Sequence, residues 1–294
     1  MKKVILYRDR NKTDIRINHA INNINKYLSL ITNLDYKFMK YGVHTNTDIA
    51  ILWGIHCIFK DDTKFRKKMI DINSQKGKRA VVIEVGFLNR EKYYSIGYNS
   101  IVGFGDYPQF EYDSKRFDKL GIECTPFTGI NKDGIILLCG QIPWDTQLQH
   151  IKYKEWLIDI VKEIRKYTKR KIVYRPHPKQ KSGHPMAINK LKDCENSKNK
   201  NIKDDFKNAY CVIALNSNSL LDAMIAGIPF YSFDKGSMVN DIANHDISTI
   251  ETDIKFPSDE IRMQKLYEIS YKQWDVDDEE DLKMIFSKIL DKEL

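Results

Sequence analysis

The sequence predicts an α/β protein built on mostly parallel sheets. Short apolar runs alternate with segments of helical period along all 294 residues, the pattern of strands joined by crossover helices. One stretch, 211–233, reads as a complete strand–helix–strand unit: an apolar run, small polar residues, a helical segment, then Ala226-Gly227-Ile228-Pro229 leading into another apolar run. Hydrophobic residues make up 42% and charged residues 30%, so the chain can bury cores and is not disordered by composition.

In the first half the strands fit 4–7, 36–39, 49–53 and 80–85, with helices near 14–31 and 62–75. Asp14 suits the cap of the first helix, and Asp61 or Asp62 that of the second. Residues 86–130 read as an aromatic, loop-rich stretch punctuated by glycines. A second α/β cycle opens at the turn Asn131-Lys132-Asp133-Gly134, with strand 135–139 and an amphipathic helix 153–167. Strand 172–174 follows, then a polar stretch with a short helix, strand 211–215, helix 218–226 ended by Gly227, and strand 228–233. Helices near 259–271 and 278–290 close the chain.

Charge divides the sequence. Residues 1–130 carry 22 Lys+Arg against 14 Asp+Glu, and residues 131–294 carry 26 against 26, so the whole excess of +8 lies in the first part. Such a field attracts polyanions, although a solvated lysine-rich surface gives the same count. No run approaches the roughly 18 consecutive apolar residues of a membrane span. The apolar stretch after Met1-Lys2-Lys3 is too short for a signal peptide. The five cysteines (Cys57, Cys124, Cys139, Cys194, Cys211) are scattered and form no CxxC pair. A soluble, cytoplasmic protein is expected, without a disulfide framework or zinc site.

Three motifs carry chemistry. The turn Asn216-Ser217-Asn218-Ser219 opens a helix after a buried strand; free N–H groups and serine hydroxyls there suit an anion, and a plain helix cap is the alternative. In Arg175-Pro176-His177-Pro178-Lys179 two prolines fix the backbone around a histidine, flanked by cations that suit phosphate. Gly140-Gln141-Ile142-Pro143-Trp144-Asp145 is a strand-to-helix loop in which glycine permits close approach of a ligand.

Together, the Gly140-Gln141-x-Pro143-x-Asp145 loop, Arg175-Pro176-His177-Pro178, and a Ser217-x-Ser219 start followed by Ala223-x-x-x-Gly227-Ile228-Pro229 resemble the C-terminal domain of GT-B glycosyltransferases. The likeness is to capsule Kdo-transferase-like and phage-encoded enzymes, and covers about 135–235. Less diagnostic segments of the first half (48–54, 84–90, 94–99 and Asp113-x-x-Arg116) resemble phage proteins thought to glycosylate hydroxymethylated pyrimidines in viral DNA.

The resemblance implies a GT-B type α/β fold, two Rossmann-like domains with an interdomain cleft. It implies an acceptor-binding domain over 1–130, a nucleotide-sugar-binding domain over 131–275, and a terminal helix in 276–294 packing back toward the first. In HP-motif enzymes the histidine and the serine turn hold the donor's phosphates. That assigns His177, Ser217 and Ser219 to the donor, most simply a UDP-sugar, with Gly140, Gln141, Asp145, Arg175, Lys179, Asn218 and Asp222 around them. No metal is expected, because Asp275-x-Asp277 lies in an acidic stretch rather than a strand-end loop. No permanently bound cofactor is expected either.

A base for the acceptor hydroxyl belongs in the first half. Glu84 interrupts the apolar run before Gly86, where a carboxylate is costly without a purpose or a partner such as Arg90 or Arg116. Asp106 is the second candidate. The basic run Lys60, Lys64, Arg66, Lys67, Lys68, Lys76, Lys78 and Arg79 suits double-stranded DNA. Phe87, Tyr93, Tyr94, Tyr98 and Phe104 are rings that could stack an extruded base, with a core role as the alternative. Arg90, Tyr94, Tyr98, Arg116, Lys67 and Lys68 are thus the acceptor candidates of a monomeric enzyme acting on DNA. Three alternatives remain: a capsule or lipopolysaccharide transferase using a CMP- or UDP-sugar, a non-catalytic nucleic-acid-binding protein, and a sugar-nucleotide epimerase. No Glu-x7-Glu motif is present, so the sequence leaves retention or inversion open.

Overall fold

The structure is a computed structural model that describes residues 1–8, 14–42, 45–55, 60–75, 78–180 and 183–291. Cys57 and Lys76 lie outside the described residues, as does the side chain of Lys60. In chain order the elements are β1 (Lys3–Arg8), α1 (Ile15–Ser29), β2 (Asp35–Lys40), β3 (Ile49–Trp53), α2 (Lys60–Gln75), β4 (Arg79–Val85), β5 (Tyr93–Tyr98) and α3 (Lys115–Asp118). Then come β6 (Ile135–Cys139), α4 (Tyr153–Tyr167), β7 (Ile172–Arg175), β8 (Glu195–Asn196), α5 (Ile202–Phe206), β9 (Ala209–Ala214), α6 (Ser219–Ile225) and β10 (Phe230–Ser232). The chain closes with α7 (Asp259–Ser270), β11 (Gln273–Asp275) and α8 (Glu279–Leu290).

Two compact units result. The first comprises Met1–Leu120 and Leu266–Leu294, the second Gly121–Lys265. The chain thus passes between units within α7, ten residues before the 275/276 boundary read from the sequence, because β11 adds to the first sheet. The first unit carries 26 Lys+Arg against 22 Asp+Glu and the second 22 against 18, so each has a net +4. The charge asymmetry of the linear sequence is therefore absent from the folded units: the acidic stretch around 275–281 belongs with the basic first half.

The first unit's sheet has the order β11-β5-β4-β3-β1-β2. β1 to β4 are parallel, and β5 and β11 join antiparallel. Period-two alternation divides its apolar residues between two faces. Val4, Leu6, Ile51, Val81 and Ile83 pack with α1, α8 and Trp274, while Ile5, Tyr7, Leu52 and Ala80 pack with Phe65 and Met69 of α2. Asp14 caps α1 as expected, accepting from the N–H groups of Arg16 and Ile17. Asp61 and Asp62 lie inside the first turn of α2 rather than ahead of it, where carboxylates still complement the helix dipole.

Residues 86–130 are not a loop throughout, since β5 lies within them. Gly97 hid that strand, because glycine weakens strand patterning. Here it is required: a Cβ would meet Asp106 O and the Tyr107 ring, each at 2.8 Å. Tyr93, Tyr94 and Tyr98 are core side chains, and Phe87 is equally buried.

Arg116 is locked into the same unit. Its guanidinium forms a bidentate pair with Asp281, both bonds 2.9 Å, and donates to the carbonyls of Ser270 (3.2 Å) and Gln273 (2.8 Å). It also lies 4.0 Å from the Trp274 ring centroid. The clamp ties α3 to β11 and the start of α8.

The second unit's sheet is all parallel, in the order β10-β9-β6-β7-β8. Its apolar face is covered by α4 through Leu157, Ile160, Val161 and Ile164; of the face the helical period put at Trp156, Ile160, Ile164 and Tyr167, the two isoleucines are buried, Trp156 is half-buried and Tyr167 is exposed. Gly134 enters β6 against backbone: a Cβ would sit 2.5 Å from Tyr210 N and 2.8 Å from Ala209 C. Gly134→Ala is therefore expected to cost about 1–3 kcal/mol through overpacking that no side chain can relieve. A thermal melt should show a lower Tm, and an unchanged Tm would mean that the strand entry yields easily.

Candidate active site at the strand ends of the second unit

Register brings the motif-bearing loops to one sheet edge. Cys139 pairs with Arg175, Leu138 with Ile213, and Ser232 with Ala214, so the carboxyl ends of β6, β7, β9 and β10 are level. From that edge leave Gly140-Gln141, Pro176-His177, the 216–219 turn and Phe233-Asp234. Ligand sites of open parallel sheets form at this edge.

A buried polar network holds these loops together. Gln141 Nε2 donates to Asn216 Oδ1 at 2.6 Å, and Asn216 N donates to Gln141 Oε1 at 3.2 Å. Asn216 Nδ2 in turn donates to Asp234 Oδ1 at 2.9 Å, and Asp234 Oδ2 meets His150 Nε2 at 2.6 Å. Asp234 Oδ1 also accepts from Gly236 N. Gln141 N donates to Tyr153 OH at 2.8 Å. Gly140 is required because a Cβ there would meet Tyr174 OH at 2.7 Å. Gln141 therefore braces the edge, with its amide committed to Asn216. Asp234, His150 and Tyr153 were not found from the sequence; a carboxylate two residues past a strand end was the available signal.

His177 is half-buried, and its Nδ1 accepts from Lys179 N at 3.1 Å. That bond sets the tautomer: in the neutral ring the proton is on Nε2, which is then a donor. Gln180 N donates to the His177 carbonyl at 2.9 Å, closing the turn. The Lys179 side chain is exposed beside it.

Ser217 Oγ accepts from Ser219 N at 3.3 Å. Ser219 Oγ is buried against the Cys139 thiol, its hydrogen-bonding neighbour. Burial pushes that thiol up to about 12, outweighing the lowering by Ser219 and Arg175, so Cys139 is a neutral group rather than a nucleophile. Asn218 is at the α6 cap position without a side-chain cap bond. Asp222 lies in the first turn, where its charge opposes an anion and suits a sugar hydroxyl. α6 has only seven residues, so its dipole adds little and the hydroxyls matter more.

Arg175 is placed differently from the expectation. Its guanidinium pairs with Asp205 at 2.7 Å and donates to Ser197 Oγ and to the carbonyls of Asn199 and Lys200. It anchors the 195–206 stretch. Asp145 accepts from Gln147 N and caps a short 3-10 turn, Thr146–Leu148.

In the first unit, Glu84 is half-buried at the end of β4, with Oε1 accepting from Val85 N at 2.9 Å. Its charge is felt at Tyr107, whose phenol is raised first by burial and then by Glu84. The expected partner Arg116 is bound to Asp281 instead. Asp106 is exposed, and its backbone bridges Tyr98. Arg90, Lys67 and Lys68 are exposed. Tyr94 packs edge-on against Trp53, and Arg79 covers the Tyr98 ring. The buried Tyr94, Tyr98 and Arg116 are thus not presented to a ligand.

Among the described residues no group of three or more His, Cys, Asp or Glu is placed to hold a metal. No described helix is long and apolar enough to cross a membrane.

No family model matches the chain, and no curated protein matches its sequence. Solved structures do match. The β-Kdo 2,7-transferase of Thermosulfurimonas dismutans KpsC aligns with 99% of this chain and 100% of its own, at 15% identity and a TM-score of 0.54. The β-Kdo 2,4-transferase of the same KpsC aligns with 93% of this chain and 92% of its own, at 11% identity and a TM-score of 0.51. The chain has the two-sheet α/β fold of GT-B glycosyltransferases.

Proposed function

We propose that the chain is a glycosyltransferase that takes its sugar from a nucleotide-sugar, with the donor phosphate met by His177, Ser217 and Ser219. One observation carries this reading. The level strand ends of the second sheet bring a proline-bracketed Nε2–H donor and a serine-bearing turn to a single edge. Glycosyl transfer requires stabilisation of a departing nucleotide phosphate, and preformed donors supply it without reorganisation. UDP- and CMP-sugars are the donors to test, and Glu84 is the proposed base.

Two acceptor classes fit this donor site. A capsule-type glycan is favoured by the likeness to two Kdo transferase domains over nearly the whole chain. A hydroxymethylated pyrimidine in viral DNA is favoured by the exposed Lys64, Lys67 and Lys68 of α2, none of which has an ion pair among the described residues. Burial of Phe87, Tyr93, Tyr94 and Tyr98 leaves only Phe104 of the five candidate stacking rings partly accessible, which weakens the case for DNA and favours the glycan.

The test is a donor–acceptor screen. UDP-, GDP- and CMP-sugars would be offered with either hydroxymethylpyrimidine DNA or a Kdo-bearing glycolipid, and products read by mass spectrometry. A mass shift on the glycolipid is expected. A shift on DNA alone would reverse the acceptor order, and no transfer from any donor to either acceptor would count against the enzyme reading.

A further inference from the structure

The loop bearing His177 contains a second histidine–proline turn. His184 Nδ1 accepts from Met186 N at 3.2 Å, just as His177 Nδ1 accepts from Lys179 N at 3.1 Å. Both neutral imidazoles therefore carry their proton on Nε2. The far end of this excursion is anchored: Gln180 Nε2 donates to Ile188 O at 3.1 Å, Ile188 N donates to Gln180 Oε1 at 3.2 Å, and Tyr174 OH of β7 donates to the same carbonyl at 3.0 Å.

His184 lies against Trp144, with ring centroids 3.7 Å apart and planes 31° from parallel. Trp144 comes from the loop after β6, the strand beside β7. Both rings are half-buried, and neither belongs to the hydrophobic cluster of that sheet. This tilted indole–imidazole pair, on loops that leave the same sheet edge as the phosphate candidates, offers aromatic surface to a planar ligand.

We propose that the Trp144–His184 pair is a nucleobase platform: the base of a nucleotide adds a further layer to this stack while its phosphate meets His177. The proposal rests on the nucleotide-sugar reading and adds a base-dependent component to it. The two histidine–proline turns then divide the ligand, one taking charge and the other an aromatic face.

Calorimetric titrations with UMP, CMP and ribose 5-phosphate test this. Trp144→Ala is expected to raise the dissociation constants of UMP and CMP roughly ten-fold or more while leaving ribose 5-phosphate unchanged. Trp144→Phe should retain most of the affinity, and His184→Ala, a loop substitution, should shift the same two ligands in the same direction. His177→Ala should weaken all three. Equal losses for all three ligands in the Trp144 and His184 variants would make the pair a loop staple and overturn the platform, as would unchanged affinities. Failure of the unsubstituted protein to bind any of the three would overturn the donor reading together with it.

Discussion

His177→Ala is expected to raise the dissociation constants of UDP and CMP by roughly 10- to 150-fold, the loss of a hydrogen bond to a charged group of about 1.5–3 kcal/mol. The ring is half-buried and lies outside the hydrophobic clusters. Pro176 and Pro178 hold the backbone whatever side chain stands between them. Stability should therefore change by no more than about 0.5 kcal/mol, which separates lost recognition from lost folding. His177→Asn keeps an N–H donor and should recover part of the affinity. Unchanged affinity in calorimetry would remove His177 from the donor site, and a large fall in Tm would reassign it as a structural residue.

Arg116→Ala is expected to destabilise the first unit by about 3–5 kcal/mol, because it leaves a buried carboxylate without its partner. The two side chains of the pair are only 7% and 3% exposed, so solvent cannot take over. Asp275 N also donates to Asp281 at 2.9 Å, and Lys119 lies 3.2 Å away. Replacing both members, Arg116→Met with Asp281→Leu, should restore much of the loss, since an apolar pair carries no desolvation penalty. Denaturant unfolding measures both variants. A single-variant cost below about 1 kcal/mol would show that the clamp is not a stabilising contact.

The clamp also sets the acid limit of the unit. Burial alone would raise the Asp281 carboxyl, but the hydrogen bonds and charge of Arg116, the Asp275 N–H and Lys119 outweigh it and hold the group below its ordinary value. Asp278 is held low mainly by Lys119. A carboxylate depressed in the folded state contributes stability above its unfolded pKa, about 3.9, and that contribution is lost as pH falls through the folded value. Acid unfolding should therefore steepen below about pH 4, and the Met–Leu double variant should lose that part of the pH dependence.

Much of the second unit was legible because its signals are local. β6, α4 and β7 follow from apolar runs and a clean 3.6 period, and the Gly227 helix stop follows from its φ of +73°. The loops that meet at the edge were legible as motifs, since proline and serine act on their own backbone. What was hidden depends on distant partners. β11 has three residues and exists because β5 offers it an edge. Arg175 and Arg116 read as free cations until Asp205 and Asp281 are placed beside them. The apparent basic half likewise ignores that residues 266–294 belong to the first unit. Gln141 looked like a ligand contact because its amide partner is 75 residues away.

The discontinuous first unit has a consequence for synthesis. Residues 121–265 form a continuous stretch whose sheet is complete in itself, whereas the first sheet waits for β11 and its apolar face for α8. On the ribosome the later-made unit can therefore finish folding before the earlier one. The nascent first unit meanwhile keeps an unpaired β5 edge and an uncovered Trp53–Ile96 surface, the kind of exposure that recruits chaperones.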